Sequence, residues 1–298
     1  TGNDSMNGGD ADDTFLLSGA SYGNDTIIGG EAFETVGDRI DASGVTNNLT
    51  VNFTAAEAGN MTGGGPVTTF SQIERISLGS GNDTVNGGAG NEWLETNAGN
   101  DSILGGAGND TIFAGSGDDT IFDGIGRDVV YGGDGNDVFD DSAGYNSTID
   151  PSLLYGGAGN DTMNGTAGDD TVYGGADNDW LSLEGGNDLA LGDEGNDTII
   201  GDAGNDTIYG GAGNDSITGG DGDDLFALQD GAGTDTLSGG ETVETALGDR
   251  LDASGVTTNL VVTFTAAETG SITGTGINVS FSGIERFTLG SGNDSTAG

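Results

Sequence analysis

The chain has no cysteine, no histidine and no lysine, and its 298 residues include two prolines and five arginines. Without Cys there is neither a disulfide framework nor a thiolate metal site, a usage compatible with extracellular proteins held together by metal ions. Without His, Cys or Lys, general acid–base, nucleophilic and Schiff-base chemistry lose their usual side chains. With no basic patch, nothing can replace the counterions condensed on a phosphate backbone, so nucleic acid is excluded as a partner. No run is long and apolar enough to span a bilayer, so no membrane insertion is expected. A carboxylate pair for glycoside hydrolysis remains conceivable, but the acids obey a different pattern. No enzyme activity is expected.

What the chain has instead is acid and glycine: 50 Asp and Glu, 62 Gly and a formal charge of -45. Such a balance ordinarily reads as a disordered polyanion. The phase of the acids argues against that. Every ninth residue is acidic from Asp83 through Glu92, Asp101, Asp110, Asp119, Asp128 and Asp137. The period resumes at Asp161 and runs through Asp170, Asp179, Asp188, Asp197, Asp206, Asp215 and Asp224. Two positions before these 15 acids stands Gly in 14 cases, and two positions after stands a residue such as Val85, Ile103, Ile112, Val172 or Ile199. Looser repeats surround Asp4, Asp13, Asp25, Asp235 and Asp294.

A longer period overlies the short one. Asp38 to Val45 recurs as Asp249 to Val256, an offset of 211 residues. Ile73-Glu74-Arg75 recurs as Ile284-Glu285-Arg286 at the same offset. Repeats on this scale imply a tandem array. Within one unit the reading is irregular repeats over 1–30, a β-rich spacer over 31–78 and seven nonapeptides over 79–139. A loop insertion at 140–155 contains Pro151. Eight or nine nonapeptides then occupy 156–240, a second spacer 241–289, and the next run opens at 290–298. Four arginines lie in the spacers (Arg39, Arg75, Arg250 and Arg286), each adjacent to an acid and expected to pair locally with Asp or Glu. Thr1 opens on repeat-like sequence without a signal peptide, which suggests a piece of something larger or export by a route without one.

In Gly105-Gly106-Ala107-Gly108-Asn109-Asp110-Thr111-Ile112-Phe113 the first six residues suit a tight turn and the last three a short strand. Only the middle strand residue faces inward. Two nonapeptides close an 18-residue coil, and coils stack at about 4.8 Å. One buried aliphatic residue in nine is too little to offset the backbone entropy of the other eight. Stacked bare acids add repulsion. Hard oxygen donors without His or Cys select Ca²⁺, which makes the metal part of the fold.

The Gly-Gly-x-Gly-Asn-Asp-x-apolar-x runs resemble the repeats-in-toxin (RTX), or haemolysin-type, calcium-binding family. The resemblance implies an all-β parallel β-roll or β-helix solenoid with calcium-binding turns, interrupted by the spacers. It implies several ions, each between turns 18 residues apart: Asp101 with Asp119, Asp110 with Asp128, Asp119 with Asp137, Asp161 with Asp179, Asp188 with Asp206, Asp197 with Asp215. Turn carbonyls complete each shell. For the ion between Asp161 and Asp179 these are Gly157 and Gly159 with Gly174 and Ala176. Elsewhere the carbonyl candidates are Gly106, Gly108, Gly115, Gly117, Gly204, Gly211 and Gly213. Glu92, Asn97, Thr166, Glu184 and Arg127 depart from the pattern and are expected to weaken their turns, while Asp12, outside the phase, should matter little.

The resemblance further implies type I secretion, folding outside the cell and a place in the extracellular medium or on the surface of a bacterium. The 211-residue recurrence favours a structural segment of an adhesin, surface layer or fibre, with further copies of the unit or neighbouring chains as partners. A folding and secretion module of an exported enzyme or toxin is the alternative. Apolar residues at the last repeat position (Leu104, Phe113, Phe122, Tyr131, Leu191, Ile200 and Tyr209) mark either a lateral contact surface or a strip covered by the chain itself. Trp93 and Trp180 are expected to pack outward on neighbouring rungs, with polysaccharide contact as the other reading.

Overall fold

The computed structural model describes residues 2–18, 23–30, 35–63, 66–140, 150–240 and 247–297. The chain divides into two compact units, Thr1–Asn146 and Ser147–Gly298. Every regular element among the described residues is a β-strand or bridge.

In the first unit the nonapeptides form two parallel stacks. Thr84–Asn86, Ser102–Ala107, Thr120–Ile125 and Val138–Phe139 make one, with Val85, Ile103, Ile121 and Phe139 aligned. Arg75–Ser77, Trp93–Ala98, Thr111–Ser116 and Val129–Asp134 make the other, aligning Ile76, Leu94, Ile112 and Val130. Nonapeptide partners are 18 residues apart, so two repeats close one coil. The aligned residues are 3 % exposed or less, while their neighbours along each strand face outward. That alternation fills a thin core between the stacks.

Glycine is required in the turns for two separate reasons. Gly126 has a φ of +143°, and a Cβ there would lie 1.8 Å from the Gly108 carbonyl oxygen one coil away. Left-handed backbone and sub-contact stacking together exclude an ordinary side chain.

The first spacer stays within the stacks. Arg39–Gly44 pairs in parallel with Thr14–Ser18 and with Arg75–Ser77. In the other stack the single short strand is replaced by an antiparallel meander, Thr50–Ala55, Ala58–Thr62 and Val67–Ser71. Its outer strands pair in parallel with Thr84–Asn86 and Thr26–Ile28. Parallel and antiparallel ladders share one strand spacing, so a 36-residue coil fits between one of 25 residues and the 18-residue ones.

The second unit repeats the plan. Leu153–Ala158, Thr171–Ala176, Leu189–Glu194, Thr207–Tyr209, Leu225–Ala227, Arg250–Asp252 and Arg286–Thr288 form one stack. Thr162–Asn164, Trp180–Ser182, Thr198–Ala203, Ser216–Asp221 and Thr236–Ser238 form the other. That stack continues into a second meander, Val261–Ala266, Thr269–Gly274 and Ile277–Ser282.

Two expectations need correction. Residues 153–155, assigned to the insertion, already form strand, with Leu154 opposite Val172. Ser152 holds the place of the acid in that rung and donates its N–H to Asp170 Oδ1, so counting carboxylates missed it. Residues 141–149 of the insertion lie outside the described residues. Of the four spacer arginines, Arg39 and Arg250 pair with local acids as expected, whereas Arg75 and Arg286 take other partners. Arg39 meets Glu95 at 3.2 Å and Asp41 at 3.8 Å, Arg250 meets Asp252, and Arg286 donates to the Gly248 carbonyl. Arg75 lies over the Trp93 ring at 4.4 Å. Neighbours in a strand point to opposite faces, so Asp38 and Asp249 turn inward while Arg39 and Arg250 beside them turn out.

The outward apolar positions stack along the coils. Trp93 packs on Phe113 at 5.3 Å, Phe113 on Tyr131 at 4.8 Å, and Tyr155 on Tyr173 at 4.8 Å. Their faces are covered by one another and their edges are left outward. Trp180 is 38 % exposed.

Candidate metal centre

The carboxylates sit inside the turns. All 15 acids of the ninefold series are 3 % exposed or less. Each points inward because the residue two places on is the inward strand residue, and side chains two apart share a face. One oxygen of each carboxylate has a backbone partner. Asp101 Oδ1 accepts the Asp83 N–H at 2.7 Å, Asp119 Oδ1 the Asp101 N–H at 2.7 Å, and Asp137 Oδ1 the Asp119 N–H at 2.8 Å. The second unit matches, with Asp188 accepting from Asp170 at 2.7 Å and Asp206 from Asp188 at 2.9 Å. The expected pairs therefore stand one above another.

The second oxygen is the orphan. Oδ2 of Asp83, Asp101, Asp110, Asp119, Asp179, Asp188, Asp197, Asp206 and Asp215, and Oε2 of Glu92, are buried without a hydrogen-bond partner. A buried anionic oxygen left bare is strongly unfavourable. Carbonyl oxygens crowd the same spot. A Cβ on Gly156 would lie 2.4 Å from Asp161 Oδ2 and 2.5 Å from the Gly174 carbonyl, and one on Gly201 would lie 2.4 Å from both Asp206 Oδ2 and the Gly219 carbonyl. Among the described residues no three acids converge on one point, so further ligands would be neutral oxygens, of which the turn carbonyls are at hand. Two carboxylates of one edge with turn carbonyls form an all-oxygen donor set of the kind calcium takes. Bound there, the ion would supply the positive charge that neutralises stacked carboxylates.

Burial sets the electrostatics. It pushes the Asp188 carboxyl up to about 8, and Asp119, Asp197, Asp235 and Glu92 up to about 7. Neighbouring ladder acids add to each rise, Asp206 beside Asp188 and Asp137 beside Asp119. These groups resist charging unless a cation arrives.

The glycines named from the sequence sit in the turns with left-handed backbone. Gly106, Gly108, Gly115, Gly117, Gly157, Gly159, Gly204, Gly211 and Gly213 all have positive φ. Gly174 reaches the site through its carbonyl, whereas the Ala176 carbonyl accepts the Gly159 N–H at 3.1 Å. The departures differ among themselves. Asn97 and Glu184 keep the glycine conformation, at φ of 70° and 66°. Thr166 turns onto its own ladder acid, its N–H meeting Asp170 Oδ2 at 2.6 Å. Arg127 is exposed while Asp128 is buried, so the cation faces away.

The outlying acids show that spacing stretches while the rung is kept. Asp235 accepts the Asp215 N–H 20 residues away, and Asp25 accepts the Asp4 N–H 21 residues away. Asp4 itself is exposed. Asp13 donates its N–H to Asp38, and Asp294 accepts from Leu260. A uniform 18-residue separation therefore holds only within the nonapeptide runs.

Sequence reasoning missed several participants. Asp123 is buried where most repeats have glycine, and it raises Asp110. The Asn at the fifth position builds a second ladder on the exposed rim: Asn178 Oδ1 accepts the Asn196 N–H at 2.8 Å, and Asn196 Oδ1 that of Asn214 at 2.9 Å. Its periodicity was visible, and its direction, opposite to that of the Asp ladder, was not. Asp12, judged dispensable, accepts the N–H groups of Thr35, Val36 and Gly37.

The RTX calcium-binding nonapeptide repeat family matches residues 1–19, 20–32, 70–103, 86–121, 104–139, 113–146, 155–190 and 191–226, together more than half of the chain. The chain belongs to that family. Calcium is accordingly the ligand of this RTX chain, and several repeats are present to bind it. RTX repeat proteins are typically secreted by the type I route. No curated protein matches the chain.

Asp119 stands between Asp101 and Asp137 on one edge. Asp119→Asn keeps the shape and removes the charge, so it is expected to abolish or weaken two adjacent ions. Calcium counting by equilibrium dialysis checks this, and an unchanged count would assign the ligands elsewhere.

Proposed function

We propose that this RTX chain is a calcium-stiffened structural segment of a large secreted tandem-repeat protein on a bacterial surface, of the adhesin, surface-layer or fibre kind. The observation that carries this reading is that the 211-residue recurrence is also a recurrence of architecture. The meander that begins at Thr50 is rebuilt from Val261, and Thr84–Asn86 finds its counterpart in Ser295–Ala297 against the first meander strand. A coil whose end reproduces its beginning can be extended by further copies without a new kind of contact. The patterned carboxylates and glycines are committed to turns, which favours a scaffold.

A secretion module of an exported enzyme would carry the same nonapeptides but would not need the 211-residue copy. The test is to read the flanking coding sequence and to image secreted material from calcium-grown cells. Further copies at that spacing and extended filaments are expected. A neighbouring catalytic domain with no further copy would overturn the reading.

A further inference from the structure

The Asp ladder runs on into the spacers, where the nonapeptide pattern fails. Asp38 is fully buried, yet it lies outside every segment matched by the repeat family. Its Oδ1 accepts the Asp13 N–H at 2.6 Å, and its own N–H goes to Glu74 Oε2 at 2.6 Å. Asp38 therefore occupies a rung between Asp13 and Glu74, although 25 and 36 residues separate it from them. Its Oδ2 is buried without a partner.

The surroundings of that oxygen match those in the nonapeptides. A Cβ on Gly29 would lie 2.0 Å from Asp38 Oδ2 and 1.9 Å from the Gln72 carbonyl oxygen. The corresponding distances at Gly192 are 2.4 Å to Asp197 Oδ2 and 2.3 Å to the Gly210 carbonyl. Only the connection differs, since glycine and acid are five residues apart in a nonapeptide and nine apart here. Asp12 pins residues 35–37 of this longer turn through three backbone N–H groups and so holds Asp38 in place.

The arrangement occurs twice. Asp249 Oδ1 accepts the Asp224 N–H at 2.7 Å, and its N–H goes to Glu285 Oε2 at 2.6 Å. A Cβ on Gly239 would lie 1.9 Å from Asp249 Oδ2 and 2.0 Å from the Gly283 carbonyl. The same approach of a carboxylate oxygen and a carbonyl at a glycine in the second copy marks the arrangement as built.

We propose that Asp38 with the Gln72 carbonyl, beside Asp13, and Asp249 with the Gly283 carbonyl, beside Asp224, are additional calcium sites assembled from non-contiguous residues. The inference rests on the calcium reading of the nonapeptide turns and extends it to the spacers. Their role is to join the meander coil to the nonapeptide coils with the same ionic contact that joins nonapeptide coils to each other.

The test is a calcium count by equilibrium dialysis on the whole chain and on Asp38→Asn, Asp249→Asn and the double variant. Each single variant should bind at least one ion fewer than the parent, and the double variant at least two fewer. A double variant that binds as many ions as the parent overturns the proposal. A parent that binds no calcium overturns the nonapeptide reading, and this inference with it. Should the variants fail to fold, terbium is soaked into crystals of the unaltered chain. Anomalous density beside Asp38 and Asp249 supports the proposal. Density between Asp101 and Asp119 with none at those two acids overturns it.

Discussion

A chelator added at neutral pH is expected to abolish the β-structure of this chain, and calcium to restore it cooperatively. Two ladder carboxylates one rung apart, about 4.8 Å, repel by about 3 kcal/mol at an effective dielectric of 20. The repulsion recurs along both edges, because all 15 acids of the ninefold series are 3 % exposed or less. Against it stands one inward residue per nonapeptide, such as Ile103 or Ile112, and no disulfide. The core alone cannot hold that much buried charge. Far-ultraviolet circular dichroism against free calcium checks the prediction, with half-saturation expected at about 10⁻⁴–10⁻³ M, the range of extracellular sites. Magnesium should do far less, since it demands six close ligands and gives up its water reluctantly. A chelated sample with an undiminished β-signal would refute the role given to the ladder.

Acidification is expected to act in opposite directions with and without calcium. In the calcium-free fold the Asp188 carboxyl is pushed up to about 8, and Asp119 and Asp197 to about 7, from a model-peptide value near 3.8. A folded value above the unfolded one means that the folded chain binds more protons between the two. The stability these groups provide is thus complete below about pH 4 and is lost as pH rises toward 8, at up to about 1.4 kcal/mol per unit for each group. Without calcium, then, the fold should be stronger at pH 5 than at pH 8. With calcium the order should reverse, because the metal takes only the deprotonated carboxylate and acid expels it. The far-ultraviolet β-signal at the two pH values, each with calcium and with chelator, gives the four numbers needed. Signals that move the same way with pH in both conditions would show that the buried acids do not carry the pH response.

The acid series from Asp83 to Asp224 was legible because a single period carries three requirements together. Glycine gives a left-handed turn, the acid fills it, and the aliphatic residue two places on enters the core. Each is a local demand of one coil on its own residues, so the fold class, the coil length and the metal could be read directly. The sites at Asp38 and Asp249 were not legible, because glycine, acid and carbonyl there are distant in sequence and meet only once the meander is folded. The same holds for the strand at Leu153, whose rung carries Ser152 in place of an acid, and for Arg75, which finds the Trp93 ring.

The sequence by itself determined that the nonapeptide runs coil at 18 residues per turn around calcium, because glycine, acid and aliphatic residue recur there in one phase. The tertiary structure alone decided which non-repeating residues complete the rungs. A rung is defined by hydrogen bonds to the coil above and below, and those bonds are indifferent to how many residues lie between their partners.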